Sequence, residues 1–174
     1  MNPQRKKIYD AELLNKITSQ IKDWDFELVS GESVYQKIEK YAHIGIKIHS
    51  TDSLSDEVIF SVTETEIPQM YYSEIENVLS FFKNHVSDLK GTKELNLRFE
   101  IYEGSFNYDS NRNAFGYATI RALVNCFDQN QFKIDETQRR RITNSKKNAL
   151  KILRDYARNF SEEEIVESLL DESL

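Results

Sequence analysis

A single cysteine, Cys126, among 174 residues leaves the chain without a disulfide framework and fits a reducing compartment. Two prolines and five glycines give little turn punctuation, so low-complexity linkers are not expected. No apolar run approaches the ~20 residues that span a bilayer. The polar, basic start, Met1 to Lys7, is not followed by the apolar stretch of a signal peptide. A cytoplasmic protein with no membrane contact is the expectation. Positive charge is also in deficit: 23 Lys and Arg stand against 29 Asp and Glu, a net charge of −6, so any nucleic-acid surface must be local. His43, His49 and His85 lack the His-x-x-x-His or cysteine spacing that organises a metal. No carboxylate pair is marked by a catalytic motif, so neither an enzyme nor a cofactor is expected.

What is present is core-forming material. Ten Phe, nine Tyr and one Trp are ample for a packed interior in a chain of one-domain length. Leu13, Leu14, Ile17 and Ile21 predict a helix over about Asp10–Asp23. Strands are expected at Phe26–Ser30, His43–His49, Glu57–Glu64 and Glu94–Glu103, the last alternating Leu95, Leu97, Phe99 and Ile101 with polar residues. Between the third and fourth strands, the apolar spacing predicts a helix over Tyr71–Leu89, closed by Gly91. A polar stretch, Gly104–Asn113, leads to a helix ending near Phe127, with Asp109 or Ser110 as N-cap and Cys126 on its apolar side. Asp135 and Gln138 have capping-box spacing before a helix to about Asn159, and Ser161 and Glu164 repeat it before a final acidic helix. The expected fold is α+β, with a small, mostly antiparallel four-stranded sheet packed by helices. Its divisions are an N-terminal helical extension (1–25), a core (26–130) and a C-terminal helical appendage (131–174).

The segment Glu100-Ile-Tyr-Glu-Gly-Ser-Phe-Asn-Tyr-Asp-Ser-Asn-Arg-Asn-Ala-Phe115 resembles the domain IV motif of elongation factor G, roughly hydrophobic-x-D-G-S-Y-H-x-V-D-S-S-E-x-A-F. Gly104, Ser105, Asp109, Ser110, Ala114 and Phe115 match directly. Upstream, Tyr41-Ala-His-Ile-Gly-Ile-Lys-Ile48 is similar to the family's Y-G-H-V-x-I strand, and Ile67-Pro-Gln-Met-Tyr-Tyr72 to its V-P-x-x-Y-I segment, in the same order. The resemblance covers about Phe26–Phe127 and implies a left-handed βαβ crossover and a domain whose tip loops enter the ribosomal decoding region. The family's tip histidine falls on Asn107, its acidic residue after the paired serines on Arg112, and its second tip loop on Ser33–Lys40, without the family's glycines. There is no Walker A sequence to cradle phosphates, so GTP hydrolysis is not expected.

Asn107, Tyr108 and Arg112 are the candidate contacting residues of the tip, with Tyr108 able to stack on a base or fill a partner's pocket. The alternative for Asp109 and Ser110 is a turn and N-cap. Charge is asymmetric: Lys133–Arg158 holds nine basic and three acidic residues, including Arg139, Arg140, Arg141, Lys146 and Lys147. That cluster would bind RNA phosphates or an acidic partner, or else form a solvated helix face or one neutralised by the acidic body. Two functions stay open: a non-enzymatic module bound to the ribosome or to RNA, and a protein-interaction, inhibitor or immunity-type module that mimics or sequesters a factor.

Overall fold

The computed structural model describes residues 11–171, with side chains through residue 159. Its elements are a helical segment over 11–15, α1 (Thr18–Asp23), β1 (Val29–Lys37), β2 (Lys40–Ser50), β3 (Glu57–Phe60), a 3₁₀ turn (Gln69–Tyr71), α2 (Tyr72–Lys90), β4 (Leu97–Ser105), α3 (Arg112–Asn125) and α4 (Glu136–Asp171). The protein is α+β. Its sheet order is β1-β2-β4-β3, antiparallel except for the β3/β4 pair, so β3, α2 and β4 form a βαβ unit.

Alternation along β2 creates two faces. Ile44, Ile46 and Ile48 join Phe99 and Ile101 of β4 in the core beneath α2 and α3. There Ser33 Oγ donates to the Ala118 carbonyl at 2.6 Å, and Tyr35 stacks on Tyr117 at 4.8 Å. Gly31 is required at this crossing, because a Cβ would lie 2.2 Å from the Ala122 carbonyl oxygen. The other face carries Tyr41 and His43, and the N-terminal half of α4 covers it through Ile142, which packs with Val34 and Tyr41. Both flanks of the chain contribute to the main core, Leu14, Ile17 and Ile21 from one end and Ala149 and Ile152 from the other.

The connection from α3 to α4 passes along the outer margin of β1. Asn125 fixes it there: its amide nitrogen donates to the carbonyls of Glu32 (2.8 Å) and Phe132 (3.0 Å), and its oxygen accepts from Phe132 N–H (3.0 Å). Arg121 lies between the rings of Tyr35 and Phe132, 4.8 Å from each centroid.

Several boundaries differ from the sequence expectation. The Phe26–Ser30 strand begins at Val29 and runs to Lys37, so Ser33–Lys37 is strand rather than tip loop, and only Ile38 and Glu39 form the hairpin turn. The reason is that β1 is covered on both faces: neighbours Val34 and Tyr35 are each 3% exposed, which erases the polar alternation that marks a half-buried strand. β3 stops at Phe60, because Thr63 and Glu66 close a turn through reciprocal hydrogen bonds. The first helix breaks at Ile17, whose backbone is not helical, yet Leu14, Ile17 and Ile21 all bury. Asn111, not Asp109 or Ser110, caps α3, accepting from Ala114 N–H at 2.8 Å. The Asp135–Gln138 capping box forms reciprocally, at 2.8 and 3.0 Å. No second helix starts at Ser161, since α4 continues through it; the side chains of the predicted 165–170 stripe lie outside the described residues.

Candidate functional site

The ladder between β2 and β4 slips at Gly45, where Tyr102 and Glu103 together face one residue. This bulge keeps the Tyr102 ring over Gly45, where a Cβ would meet it at 2.8 Å, and turns Glu103 towards His43. His43 is fully buried. Its Nε2 lies 2.7 Å from Glu32 Oε1, and its Nδ1 lies 3.2 Å from Ser105 Oγ, which is 2.7 Å from the Tyr41 hydroxyl. The donor atoms of Glu32, His43 and Glu103 all lie within 4.8 Å of one another. Beside them, a cavity of about 460 Å³ opens between β1 and the α3–α4 connection, lined by Glu32, Tyr102, Asn125, Lys133 and Arg139 among others.

The inward cations of α4 reach this face of the sheet. Arg139 donates to Glu32 at 2.8 Å, Lys146 to Glu103 at 2.6 Å, and Arg141 to Asp109 at 2.6 Å. Burial alone would raise the Glu32 carboxyl; the hydrogen bonds and charges of His43 and Arg139 outweigh it and hold the group down at about 2. Ser105 is fully buried, and burial pushes the Cys126 thiol far above its usual range.

The outward cations follow a different spacing. Arg140, Lys147, Lys151 and Arg154 are separated by seven, four and three residues, which puts them on one face of α4, opposite buried Ile142, Ser145, Ala149 and Ile152. All four are exposed. Arg140 pairs with Glu136 within the helix, whereas Lys147, Lys151 and Arg154 have no ion pair among the described residues.

The predicted tip is held by the same helix. Tyr108 is 52% exposed, and its hydroxyl donates to Asp155; the Tyr156 hydroxyl donates to the Tyr108 carbonyl at 3.4 Å. That hydrogen bond to Asp155 raises the Tyr108 phenol above its ordinary value. Asn107 is turned into its own loop, accepting from Tyr108 N–H at 2.9 Å, and Arg112 is exposed at the start of α3. The structure thus brings Tyr108 to α4, sends Arg139, Arg141 and Lys146 inward, and leaves Arg140 and Lys147 outward. Sequence reasoning missed Glu32, His43 and Glu103 as a group, because they come from three strands. The signal available was the run His43-Gly45-Lys47, on the face opposite Ile44, Ile46 and Ile48.

No family model and no curated protein matches the chain. Among solved structures it is similar to a protein of Thermus thermophilus, at 21% identity and a TM-score of 0.46 over 59% of this chain and 16% of that one. The chain spans about one sixth of that protein's length.

Among the described residues, no helix is long and apolar enough to cross a membrane.

Proposed function

We propose that the chain is a non-enzymatic cytoplasmic module that binds RNA within a ribosomal or other translation complex, and that it does so through the outer face of α4. The partition of cations around this helix carries the reading. Arg139, Arg141 and Lys146 are engaged by the body, while Arg140, Lys147, Lys151 and Arg154 line the solvent face over ~21 Å of helix, a length that spans several phosphates of one strand. The rest of the chain carries a net negative charge, which favours the approach of a polyanion by way of the helix. The resemblance of 26–127 to domain IV of elongation factor G favours the ribosome as the RNA source. With Tyr108 engaged by Asp155, contact through the helix replaces the tip insertion that the resemblance implies.

The test is cosedimentation with ribosomes across a salt series, comparing the native chain with Lys147→Ala/Lys151→Ala/Arg154→Ala. The expected result is salt-sensitive binding whose log–log salt slope falls by roughly 2 in the variant. Absence of binding at low salt, or an unchanged slope, overturns the reading and turns the search to a protein partner.

A further inference from the structure

We infer that Glu32, His43 and Glu103 form a binding site for a divalent cation of the zinc class, in competition with Arg139 and Lys146. This is independent of the RNA reading, which uses the opposite face of α4.

The donor set is one imidazole and two carboxylates, chemistry that suits zinc. The imidazole ring is held in place for ligation, and ion binding would release the proton that Nε2 shares with Glu32. His43 is fully buried, Ser105 Oγ at 3.2 Å from Nδ1 fixes the ring, and Nε2 points at the carboxylates. A hydrogen-bonding partner on the other ring nitrogen is the usual support of a metal-ligating histidine. The Ser105 hydroxyl is itself held by Tyr41 at 2.7 Å, so the support continues into the core. Tetrahedral zinc would place its ligand atoms about 3.3 Å apart. The three donor atoms lie within 4.8 Å of one another, and the two flexible glutamate side chains can close the remainder. The adjoining cavity, which Glu32 lines, gives an ion a route from solvent and room for a water as the fourth ligand.

Charge explains why two basic side chains sit there without metal. The two carboxylates carry −2, which one divalent ion or Arg139 and Lys146 together neutralise equally well. Arg139 is 54% and Lys146 37% exposed, on long stems that can swing into water without unpacking the core. The ion and the two cations are therefore alternative occupants of the same pair of carboxylates, and removing the basic side chains should strengthen metal binding. A cluster built only to fasten α4 has no such property.

The experiment titrates the full chain with zinc chloride against a chromophoric chelator and by calorimetry. One ion per chain is expected. Glu103→Gln, at a half-exposed position that leaves the core intact, should weaken it at least ~10-fold, and His43→Ala should abolish it. Arg139→Met/Lys146→Met should tighten it by a similar factor. His49→Ala/His85→Ala should leave it unchanged, which separates this site from the other histidines. Because His43→Ala opens a buried network, folding of each variant is checked by circular dichroism, and Glu103→Gln decides if the His43 variant is unfolded. Failure to bind one zinc, indifference to Glu103→Gln, or no gain on removing Arg139 and Lys146 overturns the inference.

Discussion

Arg141 Nη2 lies 2.6 Å from Asp109 Oδ2, with each side chain only 26% exposed, and the same guanidinium sits 4.5 Å above the Tyr41 ring. One residue thus joins α4 to the loop before α3 and to the sheet. Arg141→Ala should cost about 2 kcal/mol in urea denaturation, since it strands a half-buried carboxylate and removes a cation–π contact. Its neighbour Arg140, paired with Glu136 where both side chains are more than three quarters exposed, should lose no more than about 0.5 kcal/mol on the same change. Equal costs at the two positions would contradict the docking of α4 described above.

Acid stability should depend on Glu32. Its carboxyl titrates near 2 in the folded chain against an ordinary 4.5, so its contribution is complete above pH 4.5 and is lost as pH falls towards 2. In EDTA, native stability should fall over that window more steeply than that of Glu32→Gln; parallel curves would show that His43 and Arg139 do not hold the carboxylate.

Two glycines should respond differently to alanine. At Gly31 the new Cβ meets backbone, 2.2 Å from Ala122 O and 2.5 Å from Cys126 N, so strand and helix must separate at a cost of about 3 kcal/mol. At Gly45 it meets the Tyr102 ring, which can turn aside for about 1 kcal/mol. Thermal melts of the two variants would reverse in order if β1 were not clamped against α3.

Asn125→Leu should destabilise by about 3 kcal/mol, because it leaves the Glu32 carbonyl and both backbone groups of Phe132 without their partner. Hydrogen exchange should show the 126–135 connection loosening before the sheet does.

The legible parts of the chain are those where local pattern and environment agree. β4 alternates cleanly from Leu97 to Ile101, α2 ends at Gly91 with its left-handed backbone, and Asp135 and Gln138 cap each other as their spacing implies. β1 reads too short in the sequence because burial on both sides leaves no period of two. The tip residues are recognisable as exposed or turn-forming types, but nothing near Tyr108 in sequence announces Asp155, 47 residues away. The Lys133–Arg158 cluster is visible as composition. Which cations turn inward depends on Glu32, Glu103 and Asp109, residues brought beneath α4 only by the fold.

The path of the α3–α4 connection bears on how copies of this chain meet. One margin of the sheet is occupied where Asn125 takes an outward carbonyl of β1, and the opposite margin, β3, is four residues long. A foreign strand adding along β1 would have to displace Asn125 from the Glu32 carbonyl, and along β3 it would find only four residues to pair with, so each margin limits strand addition in its own way.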